Sequence, residues 1–288
     1  MYQNGEKYML RKLRNVEITV LMDPDKVLHV LFSLLVSALI FAIFLIMSGP
    51  LWAAEIIQYV APTGDDSTPC TISEPCLTIQ QAISNVIDSG AGNEIRVASG
   101  KYNTVNNMGN ELQVVYVPDD IVLLGGFTTT NWLQSDPVAN KTYIDAQNSG
   151  RGIYIPEEVA VRISGFRILN GLIDNEPGAG IYNKKGTLTV ENCWVYKNTV
   201  TGSGNSSVEG GGGIATGFPG DDVDAQLNIR NSHVYSNNTS FAGGGIAVYT
   251  DTVVIEALHL SNNDSVHGGG LYIENGDVTI RNTWISRN

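Results

Sequence analysis

The chain has 288 residues, 43% of them hydrophobic, and a formal net charge of −12, enough apolar material for one large domain with a continuous core. Residues 1–54 hold five basic and four acidic side chains, so the remaining 12 basic and 25 acidic ones give residues 55–288 a net charge of −13. A surface that acidic repels nucleic acid, anionic lipid and polyanionic glycans at long range, and leaves neutral or cationic partners and divalent cations open.

Residues 1–26 read as a cytoplasmic n-region. Val27–Met47 then runs VLHVLFSLLVSALIFAIFLIM, 21 residues with one His and no formal charge, which is long enough to span a bilayer as a helix. The basic residues before it orient the N-terminus inward and everything after residue 55 outward. The stretch SGPLWAA at 48–54 resembles a cleavage region, although Trp52 is a poor fit three residues before a cut after Ala54. Residues 27–54 are therefore a signal peptide or a retained transmembrane anchor, with Met22 as an alternative start. Either way the expected location is extracellular or at the cell surface, with membrane contact through 27–47 if the segment is uncleaved.

Residues 55–92 are expected to hold an entry strand, a cysteine loop and a capping helix. Cys70 and Cys76 bracket a short loop that a disulfide could close in an oxidising compartment. Their spacing fits no ordinary zinc pattern. Thr78 and Gln81 have capping-box spacing at the start of a helix whose Ile79, Ala82, Ile83, Val86 and Ile87 share one face, and Gly90 can end it. Laid over the first coil, such a helix covers the exposed core and strand edge. Short strands are predicted next at 94–97, 114–117, 121–124, 143–144 and 153–155.

From there internal repeats dominate. GAGI at 178–181, GGGI at 211–214 and 243–246, and GGGL at 268–271 each lead into a strand-like run: LTVENCWVYKN, LNIRNSHVYSN, VVIEALHLSNN and VTIRNTWISRN. VRISGFRILN, from Val161, is an earlier copy. Aligned on Ile163, Val190, Ile229, Ile255 and Ile280, the steps are 27, 39, 26 and 25 residues. A period near 25 residues suits one coil of three short strands, stacked on its neighbours about 4.8 Å apart.

The aligned columns agree with that reading. Two residues before the anchor stand Val161, Leu188, Leu227, Val253 and Val278; five after it stand Ile168, Val195, Val234, Leu260 and Ile285. Both columns are apolar in every copy, as a buried stack requires. One after the anchor, Ser164, Glu191, Arg230, Glu256 and Arg281 predict an outward ladder of alternating charge. Two after it, Gly165, Asn192, Asn231, Ala257 and Asn282 predict a left-handed corner, with asparagine side chains able to bond along the axis. Cys193 falls in the inward column of Phe166, Ser232, Leu258 and Thr283. The glycine runs predict tight bends before Ile214, Ile246 and Leu271.

Residues 58–170, with YVAPTGDD, LTIQQAI, GNEIRVASGKY, IVLLGGF, YIDA and VRISGFRILNG, resemble the N-terminal part of many pectin-lyase-like β-helix proteins. Residues 178–288 are similar to the repeats of bacterial polymorphic outer-membrane and surface proteins, which pair Gly-Gly-x-Ile with a downstream Asn. Here GGGI replaces that motif, and Lys197 and Ser236 stand before Asn198 and Asn237 where that family tends to carry Phe. The resemblance covers about four-fifths of the chain. It implies an all-β, right-handed parallel β-helix solenoid over 93–288 with an N-terminal capping helix; the superfold hosts lyases, hydrolases, adhesins and structural proteins alike. The last repeat stops at Asn288 with nothing after it to cap the stack, so either a fragment of a longer chain, the preferred expectation, or a partner that covers that end is expected.

Catalytic chemistry is weakly indicated. Glu191 and Glu256 would lie two rungs, about 9.6 Å, apart, but arginines beside them would hold both ionised and unfit as general acids. The inserted loop FPGDDVDAQ brings Asp221, Asp222 and Asp224 together, a candidate calcium site that misses EF-hand spacing. No cofactor is otherwise required. Asp221-Asp222 and Val266-His267-Gly268 imitate parts of the polygalacturonase pattern, whose Asn-Thr-Asp and Arg-Ile-Lys elements are missing. The more informative columns are outward. Four after the anchor come Arg167, Trp194, His233, His259 and Trp284; two further on come Leu169, Tyr196, Tyr235, Ser261 and Ser286. Sugar rings stack on flat aromatic surfaces, so Trp194, Tyr196, His233, Tyr235, His259 and Trp284 are the candidate ligand-binding residues, against the plainer reading that aromatic ladders stabilise β-stacks. A metal held by His233 and His259 lacks an evident third ligand. The expected function is an exported, non-catalytic surface scaffold for adhesion or carbohydrate contact. A pectin-lyase-like polysaccharide lyase or hydrolase, and an inert stalk, are the alternatives.

Overall fold

The computed structural model describes residues 35–37, 57–90, 92–203, 210–218 and 225–288, with backbone alone at 250 and 251. The chain divides into two units, Met1–Trp52 and Ala53–Asn288. In the first, Leu35, Val36 and Ser37 are helical and exposed; the rest of the expected export segment lies outside the described residues. No helix among the described residues is long and apolar enough to cross a membrane.

Among its described residues the second unit is β-structure apart from one helix, α1 (Ile79–Ser89). Its strands form sheets of 13, seven and three strands. Among the described strand pairs only Asn106–Met108 with Glu111–Tyr116 is antiparallel. Long parallel sheets of this kind are consistent with a β-helix, and the anchor column shows how the coils stack. Val190 pairs with Ile163 and Ile229, Ile229 with Ile255, and Ile255 with Ile280. The apolar columns on either side follow in the same register, from Val161 to Val278 and from Ile168 to Ile285. Alternation along each strand drives these residues into one shared core. Ile280 and Ile285 keep the register but are 42% and 51% exposed, because among the described residues their strands pair on one side only.

Each coil turns at two left-handed corners. The first holds Gly165, Asn192, Asn231, Ala257 and Asn282, and the second Asn170, Lys197, Ser236, Asn262 and Arg287, all at positive φ. The asparagine ladder does not sit at the first corner, where Asn192, Asn231 and Asn282 are exposed. It sits one residue past the second, where Asn198, Asn237 and Asn263 are buried and bond from coil to coil. The second corner aims the following side chain into the stack.

Three short strands per coil were expected, yet Ile246–Glu256 and Leu271–Arg281 run 11 residues each. Their first halves continue the strands after the glycine runs and their second halves continue the anchor strands. Two faces thereby merge into the 13-stranded sheet. In the earlier coil Lys184-Lys185-Gly186 breaks the chain at this corner, whereas Tyr249 to Thr252 passes it extended.

Helix α1 closes the start of the stack. Ile79, Ala82, Ile83 and Val86 are buried in the same core as Val60, Ile95 and Val115, while Ile87 is 41% exposed. Thr78 caps it by accepting from the Gln81 N–H, and Gly90 ends it at φ 59°. The return half of the capping box is absent: the Gln81 amide donates to Asn85, and the Thr78 N–H donates to Asp66. Cys70 and Cys76 are joined in a disulfide, and their loop bonds both sides of Tyr59.

Candidate functional site

The seven-stranded sheet carries the predicted aromatic columns. In its strands Trp194–Tyr196, His233–Tyr235 and His259–Ser261, the middle residue faces the core and its two neighbours face out. The pairing Arg167–Trp194–His233–His259–Trp284 places one residue per coil along a single outward row. Tyr196 and Tyr235 pair in the parallel row beside it. All six candidate residues are therefore brought together, half-buried at Trp194, Tyr196, His233 and Tyr235 and exposed at His259 and Trp284.

Ring geometry qualifies how such a row can act. Trp194 and His233 stack at 5.6 Å with planes within 3°, and Tyr196 and Tyr235 at 4.9 Å with planes within 3°. Their flat faces are turned to each other, so what these four rings offer outward is their edges. His233 and His259 stand 4.9 Å apart at 35°. The Arg167 guanidinium lies 4.2 Å over the Trp194 ring and 5.8 Å from Tyr143, its partner on the preceding strand. Tyr143 thus extends the row, a residue that sequence alignment missed because its strand precedes the repeats. Burial, and then the neighbouring His259, pull the His233 pKa below its ordinary value. Burial, with each other among the smaller causes at Tyr196, pushes both tyrosines up.

A second outward feature lies on the large sheet, an open groove of about 510 Å³ lined by Arg162, Thr189, Glu191, Asn228, Arg230 and Glu256 among others. Glu191 is buried and ion-paired on both sides, to Arg162 at 2.9 Å and to Arg230. The expected ladder partner Arg230 is thus joined by Arg162, which alignment by column had left out because it stands diagonally across the strands. Burial alone would raise the Glu191 pKa; the hydrogen bonds and charges of the two guanidinium groups outweigh it and hold the carboxyl below its ordinary value. A carboxylate so held has no proton to give.

Elsewhere, Arg151 is fully buried, ion-paired to Glu111 at 2.6 Å and to Glu176, and 5.3 Å from the rings of both Tyr154 and Tyr182. It is a structural clamp on which the stacked tyrosines rest. Cys193 is buried and free, with burial pushing its thiol up to about 12, as expected for an inert core residue. Among the described residues no group of three or more His, Cys, Asp or Glu is placed to hold a metal ion. Asp221, Asp222 and Asp224, the candidate calcium ligands, lie outside the described residues.

The class of protein defined so far is an all-β protein with long parallel sheets, compatible with a β-helix, that carries an aromatic row on one outer face. No family profile, curated protein or solved structure matches the chain.

Proposed function

We propose that the chain is an exported surface scaffold, a right-handed parallel β-helix of the pectin-lyase-like type, that contacts carbohydrate non-catalytically along the Trp194–Trp284 row. The observation that carries this reading is the row itself, which sets one outward ring per coil along paired parallel strands. Edges that combine C–H with phenol, imidazole and indole groups suit a ligand rich in hydroxyls and ring C–H. The net charge of −13 beyond residue 54 favours neutral over polyanionic glycans. The apolar stretch at 27–47 supports delivery to the outside of the cell, cleaved or retained. The disulfide between Cys70 and Cys76 agrees with an oxidising location.

The test is a panel of neutral and acidic polysaccharides incubated with the secreted protein. Saturable binding to a neutral glycan that is lost in Trp194→Ala and Tyr235→Ala supports the contact surface. Turnover of any glycan favours the lyase or hydrolase instead, and neither binding nor turnover favours the stalk.

A further inference from the structure

We propose that His233 and His259 together form a binding site for a divalent transition-metal ion, with copper(II) the tightest. The two residues are direct partners on adjacent parallel strands, so their side chains leave the same face of the sheet from backbone positions that hydrogen bonding keeps fixed. Their rings are 4.9 Å apart and inclined at 35°, out of the 3° parallelism that Trp194 and His233 keep. An ion bonded to two imidazole nitrogens at about 2.0 Å each spans up to about 4 Å between them. A small rotation of the rings turns one nitrogen of each toward a shared ion.

The surroundings favour such an ion. His259 is exposed and His233 half-buried, so water can complete the coordination. Arg167, the nearest cation along the row, is screened from His233 by the intervening Trp194 ring. The pair is bracketed by indoles, with Trp194 stacked on His233 and Trp284 paired with His259. Two imidazoles plus solvent oxygen suit the tetragonal geometry of copper(II), which heads the affinity order for such donors. The site shares two imidazoles with the row proposed to contact carbohydrate, but it rests only on the register of the two strands and not on glycan binding.

The purified full chain is titrated with copper(II) chloride while calorimetry and tryptophan fluorescence are recorded. One ion per chain is expected, with quenching of emission from the bracketing indoles. His233→Asn and His259→Asn should each weaken binding by about 10-fold or more, and His267→Asn should leave it unchanged. In the unaltered protein, copper should broaden the imidazole NMR resonances of His233 and His259 while sparing His267, a readout that needs no variant to fold. Binding that survives the double His233→Asn/His259→Asn change, or broadening that falls equally on His267, overturns the proposal.

Discussion

The side-chain amide of Asn198 donates to the Asn237 carboxamide oxygen at 3.0 Å, although 39 residues separate them in sequence. Asn237 repeats the contact with Asn263 at 3.0 Å and also donates to the Val195 carbonyl at 2.9 Å. Its oxygen accepts from the Asn198 backbone N–H as well. The ladder is undisturbed by the length of chain between the two coils, since Trp194, Val195 and Tyr196 still pair in register with His233, Val234 and Tyr235.

Replacing Asn237 with Ala strands these buried partners, and a buried polar group without a bond costs about 1–3 kcal/mol. We expect Asn237→Ala to destabilise the protein by roughly 3 kcal/mol. Asn238→Ala, at an exposed side chain, should stay within about 0.5 kcal/mol. Urea unfolding midpoints compare the two, and equal midpoints would remove the ladder from the account of stability.

Each ladder asparagine lies against the last glycine of a GAG or GGG run. A Cβ at Gly213 would stand 2.5 Å from the Gly245 carbonyl oxygen and 2.9 Å from the Asn237 amide nitrogen. Gly213→Ala should therefore destabilise by at least about 1–3 kcal/mol through crowding. Because the nearest atom is backbone, trimming the amide in Gly213→Ala/Asn237→Ser should not restore stability. A wild-type melting curve for Gly213→Ala would show that the coils can separate at little cost.

Glu191 makes stability depend on pH. Its folded pKa lies below the unfolded value, so its contribution is present in full above about 4.5 and is lost as pH falls through the folded pKa. Stability measured from pH 7 down to pH 3 should decline more steeply in the wild type than in Glu191→Gln. At pH 7 the variant should be the less stable of the two, since Arg162 and Arg230 lose their shared anion. Parallel pH profiles would show that the pair contributes nothing.

The disulfide closes a loop with a sequence separation of 6, for which chain entropy gives about 2 kcal/mol. Its loop bonds to Tyr59 in the strand Gln58–Val60 and to Ala61 just past it. Reduction should raise amide exchange in 58–61 and in α1 and leave the coils around Ile229 and Ile255 protected. Faster exchange spread evenly through the stack would mean that the cap and the repeats unfold as one unit.

The repeats alone determined which residues stack on which. The period of the glycine runs and the apolar columns admit one register, since a slip of one residue turns every core side chain outward. The rows of Trp194 and Tyr196 followed from that register without further information. The depth of each side chain did not follow, because two columns of asparagine look alike in sequence. Only the direction of the chain after the second left-handed corner buries Asn198, Asn237 and Asn263 and leaves Asn192 and Asn231 in solvent. The same holds for Arg162 on Glu191, a diagonal pair set by side-chain reach, and for Arg151 beneath Tyr154 and Tyr182, in a region without repeats to align. Translation along the axis is written in the sequence as periodicity, whereas rotation about it and contact across it arise only when the coils close.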